Sequence, residues 1–138
     1  MGNARRFNFT EGFDQFGVPD ALPKLPLTLL YRNSTAEVSA LLDTGASVNV
    51  LPYTIGVELG AVWAKQTTSV LLAGTLAAVE ARGLLVSAQI SDFAPVRLVF
   101  AWSSSDEVPL LLGRMSFFLE FDVCFYRSQL RFEVCPKS

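Results

Sequence analysis

The residues of this chain best suited to chemistry lie in one short turn. Asp43-Thr44-Gly45 follows the apolar pair Leu41-Leu42, and a second apolar run begins at Val48. The turn therefore delivers one carboxylate from the end of a predicted strand into a crevice with apolar walls. A carboxylate withdrawn from water is unfavourable unless it is paired or shares a proton. The setting predicts a reactive acid at Asp43, although turns of this kind also end many ordinary strands.

The rest of the composition narrows the possible chemistry to carboxylates. The chain has no histidine, which excludes Ser-His-Asp and Cys-His nucleophilic sites and every His-ligated metal site. Its two cysteines, Cys124 and Cys135, are too few for a structural zinc site or a disulfide framework. We therefore expect no metal, no cofactor, and buried free thiols in a reducing compartment.

Length and charge limit the class of protein and its partners. A chain of 138 residues makes about one domain, and 51% hydrophobic against 17% charged residues excludes a disordered tail. The net charge of −2, with no basic block, argues against nucleic acid as a partner. No signal-peptide core follows Arg5 and Arg6, and Glu80 and Arg82 interrupt the longest apolar stretch, residues 70–86. We expect a cytoplasmic protein that does not bind membranes.

Short β-rich runs follow one another along the chain without long alternating helices. Residues 1–24 mix glycine, proline and charged residues and are predicted to form an N-terminal arm or extension, followed by a domain over residues 25–138. Residues 26–31 and 36–42 read as a first hairpin that leads directly into Asp43. Successive hairpins of this kind predict an all-β barrel or sandwich.

A second, longer hairpin is predicted over residues 67–90. Its tip is placed at Ala73-Gly74-Thr75, where the side chains are small. Such a tip would allow the backbone to come close to a ligand. An ordinary surface hairpin explains the same pattern equally well.

Two motifs, in order along the chain, resemble the retropepsin-like aspartic proteases. Leu42-Asp43-Thr44-Gly45-Ala46 is similar to their catalytic loop, and Leu111-Leu112-Gly113-Arg114 is similar to the apolar-apolar-Gly element with the arginine found in retroviral proteases. The hairpin between them lies where that family has its flap. Residues 112–132 are also similar to the end of pepsin-like lobes, so the resemblance spans roughly residues 26–134. It implies an all-β, small closed barrel of acid-protease type with one or two short helices.

The resemblance also implies an aspartic endopeptidase that works as a homodimer. Hydrolysis of a peptide by water requires a base for the water and an acid for the carbonyl oxygen, and two carboxylates in contact can share one proton and do both. The chain has a single Asp-Thr-Gly, so the second Asp43 would come from a second copy across a twofold axis. Thr44 would brace the two loops, and Gly45 would leave room for the substrate backbone.

The resemblance assigns further positions to substrate binding. Ala46 and Ser47 would contact the backbone of the peptide or protein substrate, and Ala73, Gly74 and Thr75 would cover it. Unlike many pepsin-like flaps, the tip of this hairpin has no tyrosine.

The second motif is assigned to support of the site. Leu111 and Leu112 are expected to pack behind the catalytic loop rather than touch substrate, with Gly113 and Arg114 as further support. Ser47 departs from the family pattern, because retroviral enzymes carry there an acid that pairs with the arginine. The sequence therefore names no partner for Arg114.

Two other functions stay open at this point. A non-catalytic module with the same fold, used for peptide binding or dimerisation, would fit the serine at position 47 and the flap without tyrosine. A small β-barrel carrier of apolar ligands would fit the hydrophobic composition, but it would make the two ordered motifs a coincidence.

Overall fold

The computed structural model describes residues 3–72 and 74–137 of the chain. This part is mostly β, and its strands are β1 (Arg5–Asn8), β2 (Thr10–Phe13), β3 (Pro19–Leu22), β4 (Lys24–Tyr31), β5 (Ser34–Leu42), β6 (Asn49–Leu51), β7 (Ser69–Val70), β8 (Ala81–Gln89), β9 (Val96–Ser103), β10 (Leu111–Leu112), β11 (Phe121–Tyr126) and β12 (Arg131–Pro136). The helical segments are α1 (Tyr53–Glu58), α2 (Phe117–Glu120) and 3₁₀ turns at Trp63–Lys65, Gly74–Leu76 and Arg127–Gln129. The predicted all-β class with short helices is confirmed.

Six of these strands close into a barrel. Around it, β4 pairs with β5, β5 with β10, β10 with β6, β6 with β9, β9 with β8, and β8 with β4 again. The β5–β10 and β6–β9 pairs are parallel, and the other four are antiparallel. Closure leaves the barrel strands without a free edge, and it confirms the predicted small closed barrel.

The short central strands contribute to two separate hydrophobic clusters. Leu51 and Leu112 are completely buried in the main barrel core. Their neighbours Val50 and Leu111 belong to a smaller cluster, which also contains Leu72 from the second hairpin. Successive side chains of a strand point to opposite faces, so two adjacent residues can serve both clusters. The smaller cluster thus ties the second hairpin to the centre of the barrel.

Helix α1 is held by hydrogen bonds at its first turn and by close packing against Trp102. The buried indole of Trp102 donates to the carbonyl of Tyr53 at 3.0 Å, and a Cβ at Gly56 would lie 2.2 Å from the same ring. At the start of the helix, the Thr54 N–H donates to the carboxylate of Asp106 at 2.7 Å. Hydrogen bonds from Thr54 hold the pKa of Asp106 below its usual value. Asp106 therefore stays charged, and continues to accept these bonds, in mildly acidic solution.

The first and last strands pair with each other outside the barrel. β1 pairs with β12, which pairs with β11, and this gives a three-stranded sheet. β2 and β3 pair with each other in a separate two-stranded hairpin. The division into an arm over residues 1–24 and a domain over residues 25–138 stays a prediction. Along the described residues, no helix is long and apolar enough to span a membrane.

The positions of the cysteines differ from the sequence-based expectation. Cys124 and Cys135 are free thiols, but Cys124 is exposed and Cys135 is half-buried. The prediction that both are buried was wrong because they lie on the face of the β11–β12 pair that carries Asp122 and Glu133, opposite the face that is buried. Apolar neighbours in sequence indicate a strand but not how deeply each of its faces is covered.

Candidate active site

Strand β5 ends at the predicted reactive acid and is held there from both sides. The Leu42 N–H donates to the carbonyl of Pro23 at 3.0 Å, just before β4 begins. The next N–H, that of Asp43, donates to the carbonyl of Leu112 on the opposite side at 3.0 Å. Bonding to both neighbours fixes the end of β5, so Asp43 starts its turn from a rigid position.

The turn itself orients the carboxylate. The Gly45 N–H donates to Asp43 Oδ1 at 2.9 Å, and the Ala46 N–H donates to the Asp43 carbonyl at 3.1 Å. These bonds make a side-chain-stabilised turn of the kind that aspartate favours. A Cβ at Gly45 would lie 3.1 Å from Asp43 Oδ1, which is tighter than most Cβ contacts. The glycine therefore permits the close approach of the carboxylate to the backbone.

The second motif lies directly beneath this turn, which we call the Asp43 loop (residues 43–48). The Arg114 N–H donates to the carbonyl of Ala46 at 2.9 Å. A Cβ at Gly113 would lie 2.5 Å from the carbonyl oxygen of Val48 and 2.8 Å from that of Ala46. Only a residue without a side chain fits against these backbone atoms. The two motifs, far apart in sequence, form one structural unit.

Asn49, which the sequence analysis did not single out, ties this unit to the barrel. Its side chain is completely buried. Its Oδ1 accepts the Gly113 N–H at 2.8 Å, and its Nδ2 donates to the Val99 carbonyl at 3.0 Å. The sequence did contain a signal for this role, because Asn49 is the one polar residue in the apolar run 48–51. A buried amide in such a run must find hydrogen-bond partners.

Replacing Asn49 by leucine is expected to destabilise the fold. The change keeps the branched shape of the side chain but leaves the buried Gly113 N–H without its acceptor and the Val99 carbonyl without its donor, which lowers the free energy of unfolding by about 2–4 kcal/mol. Urea titration of both proteins measures the difference. The matched control is Asn8→Leu on the exposed side of β1, for which we expect a change within about 0.5 kcal/mol. Equal effects of the two substitutions would contradict this role of Asn49.

The structure identifies a hydrogen-bond partner for Arg114. Its Nη1 donates to the backbone carbonyl of Thr44 at 2.8 Å. The guanidinium thus reaches across the Asp43 loop and holds the residue next to Asp43. Because the acceptor is a carbonyl group, this contact does not require an acid at Ser47.

In the peptide cleavage that the family resemblance implies, replacing Arg114 by methionine is expected to lower kcat more than it changes KM. The variant loses the bond to Thr44 while keeping a long side chain, and misplacement of the adjacent carboxylate costs roughly ten- to a hundredfold in rate. The exposed Lys65→Met serves as the control for loss of a surface cation. An unchanged kcat, or an equal loss in both variants, would rule out a positioning role for Arg114.

Asp43 opens onto a cavity of about 510 Å³ between the Asp43 loop and the second hairpin. The residues that line it are Leu41, Asp43, Gly45, Ala46, Ser47, Val48, Val50, Leu72, Gly74, Leu76, Pro109, Leu111 and Arg114. Most of the lining is aliphatic, and among the described residues Asp43 is its one carboxylate. The cavity can hold an extended apolar chain beside a single acid.

The cavity brings together most of the residues that the sequence analysis had selected. Thr44, Leu112 and Gly113 are not among the lining residues: Thr44 is exposed at the surface, whereas Leu112 and Gly113 are buried. Leu111 lines the cavity and packs in the smaller cluster with the Asp43 loop, whereas its neighbour Leu112 faces the main core, so a purely supporting role for Leu111 stays a prediction. Adjacent residues of a strand cannot share one face.

The second hairpin is present, with shorter strands than predicted. β7 pairs with β8 through Ser69 opposite Arg82 and Val70 opposite Ala81. Gly74 is exposed, adopts a φ of +64° and begins the 3₁₀ turn that includes the backbone of Thr75. Turn and bend structure replaces the start of the hairpin's predicted second strand at residues 76–80, and β8 begins only at Ala81. Ala73 lies outside the described residues.

The sequence predicted apolar walls beside Asp43 but did not identify all the residues that form them. Val48 and Val50 line it from one side, and Leu72 and Leu76 line it from the second hairpin. Val50 lies on β6, and Val48 lies in the Asp43 loop just before that strand begins. Nothing in the sequence indicated which of these apolar side chains would face the cavity beside Asp43.

Comparisons with known proteins agree with this arrangement. A sequence model of a family described as aspartyl protease matches residues 28–116, which is more than half of the chain and includes both motifs. None of the curated protein sequences matches the chain. A solved structure of a retropepsin-like aspartic protease from Rickettsia conorii is similar, with a TM-score of 0.60 and 18% identity over 95% of this chain and 90% of that chain. At 18% identity, this similarity shows that the two proteins share a fold and nothing more specific.

Proposed function

Because this chain belongs to the aspartyl protease family, we propose that it is an aspartic endopeptidase that works as a homodimer. The observation that carries the proposal is the position of Asp43, the one acid in the described lining of an aliphatic cavity. A single carboxylate cannot serve at once as the base for water and as the acid for the carbonyl oxygen. The second acid would be Asp43 of a second copy, brought across a twofold axis.

In this proposal, the two carboxylates hold one water molecule between them. Like charges at that distance do not ionise together easily, so the pair carries one proton. The ionised carboxylate accepts a proton from the water as the water attacks the peptide carbonyl. The protonated carboxylate donates its proton to the carbonyl oxygen. The leaving nitrogen then takes the proton that the first carboxylate received from the water. As the C–N bond breaks, the second carboxylate takes a proton from a hydroxyl of the tetrahedral intermediate, so the pair again carries one proton.

The aliphatic lining of the cavity supports a preference for hydrophobic side chains beside the cut bond. Val48, Val50, Leu72 and Leu76 leave few polar partners for a charged side chain of the substrate. Burial of an apolar side chain there is favourable by about 25 cal/mol for each Å² removed from water. Gly45 and Gly74, without side chains, would leave room for the substrate backbone.

The remaining site residues have supporting roles in the proposal. Thr44 would brace the two Asp43 loops across the axis through its exposed hydroxyl. Ala46 and Ser47 would contact substrate backbone from the wall of the cavity. Thr75, in the turn of the second hairpin, would help to cover the substrate. A cytoplasmic location also stays a prediction.

Peptide cleavage tests the proposal directly. The protein is incubated with a mixed peptide library from about pH 3 to pH 8, with and without a chelator or a statine-type mimic of the tetrahedral intermediate. We expect cuts between apolar residues, strongest at mildly acidic pH, that resist the chelator and are blocked by the statine compound. No cleavage by a folded dimer would instead favour a non-catalytic peptide-binding module, which the departure at Ser47 already suggests.

A further inference from the structure

The β2–β3 hairpin presents apolar side chains that its own chain does not cover. Its two strands pair only with each other among the described residues. Its turn is well formed, because Asp14 Oδ1 accepts the N–H groups of Phe16 and Val18 at 2.8 and 2.9 Å. Phe13, Phe16 and Val18 are nevertheless 76, 79 and 54% exposed. Exposed apolar groups on an ordered element of this kind mark an interaction surface.

We propose that this hairpin is a clasp for a second copy of the chain. The apolar side chains of its outer end (Phe13, Phe16 and Val18) would pack on an apolar patch of the other copy, formed by Leu85, Val99 and Met115. The inference rests on the proposed function, because that function requires two copies for one site.

The hairpin begins next to the site. β3 ends at Leu22, one residue before Pro23, and the carbonyl of Pro23 accepts the N–H of Leu42. Leu42 directly precedes Asp43. In the proposed dimer, Asp43 of the second copy must contact Asp43 of the first copy. The second copy must therefore approach the side of the barrel that carries Asp43. The root of the hairpin thus lies on the face that the second copy must cover.

The apolar patch formed by Leu85, Val99 and Met115 lies on the other side of the Asp43 loop. Leu85 and Val99 are partners across β8 and β9, and they are 49 and 53% exposed. The Ser116 hydroxyl accepts the N–H of Val99 at 3.0 Å, which brings the neighbouring Met115, 62% exposed, close to this pair. The Met115 N–H donates to the carbonyl of Ser47, so the patch adjoins the Asp43 loop.

Twofold symmetry would bring the hairpin and the patch together. The hairpin root bonds to one edge of β5 through Pro23, whereas β10, which leads to Met115, bonds to the other edge. In a twofold dimer, features on opposite sides of the axis face each other across the interface. Each copy would therefore contribute one hairpin and one patch, which gives two identical contacts.

The charges around the two surfaces are complementary. The hairpin, residues 10–22, carries Glu11, Asp14 and Asp20 and no lysine or arginine. The patch is flanked by Arg97, two residues before Val99 on the outer face of β9, and by Arg114, next to Met115. An acidic arm that meets a basic rim fixes the orientation of docking and disfavours other partners.

Removing the aromatic groups of the clasp tests the proposal in solution. In Phe13→Ser/Phe16→Ser, sedimentation equilibrium should show a dimer dissociation constant raised about tenfold or more. Cleavage should be lost at low enzyme concentration and return at high concentration, because only association is weakened. The control, Val57→Ser/Val62→Ser, removes two valines that are 47 and 46% exposed and should change neither quantity. Circular dichroism of each variant checks that the fold is retained.

Cross-linking tests the pairing of the two surfaces. In a Cys124→Ser/Cys135→Ser background, a copy with Phe16→Cys is mixed with a copy carrying Val99→Cys and oxidised. We expect a covalent dimer from the mixture, and none when Val57→Cys replaces Val99→Cys. A dimer that cleaves peptides but gives no cross-link, and is unaffected by the two serines, overturns the clasp and leaves the proposed function intact. A wild-type protein that stays monomeric and does not cleave overturns the proposed function as well.

Discussion

Replacing Asp43 by asparagine is expected to reduce peptide cleavage by about a thousandfold or more, because the amide can neither accept the proton of the water nor donate one as an acid. The fold should survive, since the amide oxygen can still accept the Gly45 N–H that Asp43 Oδ1 accepts at 2.9 Å. Rates on a peptide cut by the wild type, with thermal unfolding of both proteins, measure the two effects. Cleavage that persists in Asp43→Asn would exclude Asp43 as the catalytic acid or base.

Mixing the two proteins shows whether the site needs two carboxylates. If subunits exchange freely, an equal mixture contains about one quarter wild-type dimers, about half mixed dimers and about one quarter mutant dimers. A site that requires both aspartates then retains about one quarter of the activity of the same total amount of wild type. Activity near one half would mean that each copy works alone, and the homodimer mechanism would be wrong.

Replacing Gly113 by alanine is expected to lower the cleavage rate by about a hundredfold, although residue 113 does not line the cavity. The added methyl group would lie 2.5 Å from the Val48 carbonyl oxygen and 2.8 Å from that of Ala46. Because both are backbone atoms, the Asp43 loop must move to accommodate it. Overpacking of this kind also lowers the free energy of unfolding by about 1–3 kcal/mol.

A second glycine in the barrel provides the matched control. A Cβ at Gly83 on β8 would meet Thr68 at 3.7 Å, which is an ordinary van der Waals contact. Gly83→Ala should therefore leave both the cleavage rate and the unfolding midpoint close to those of the wild type. Unfolding in urea shows whether Gly113→Ala still folds. A folded Gly113→Ala variant with wild-type activity would show that the loop tolerates the shift.

The turn at Asp43 and the glycine that packs beneath it could be predicted from the sequence because each depends on local chemistry. An aspartate followed by a small residue and a glycine forms its own turn, whatever surrounds it. Gly113 could be selected because it follows two leucines in a motif whose order matches that of a known family. The all-β class followed in the same way from successive short strands with turns between them.

Other parts of the site depend on contacts between distant segments. The pairing of β10 with β5 and β6 decides that Leu111 lines the cavity while Leu112 enters the core. A shift of one residue in this register would exchange the two, and no local pattern distinguishes them. The carbonyl that accepts from Arg114 is seventy positions away in sequence, so composition and spacing could not identify it.

By itself, the sequence determined the acid at Asp43, the exclusion of histidine chemistry and the all-β class, because turn formation, composition and strand propensity act over a few residues. Only the tertiary structure decided which leucine lines the cavity, that Asn49 is buried and bonds to Gly113 and Val99, and that Phe13 and Phe16 stay exposed. These three features depend on how the barrel closes. Closure brings together segments that are far apart in sequence, and their separation in sequence does not predict their distance in space.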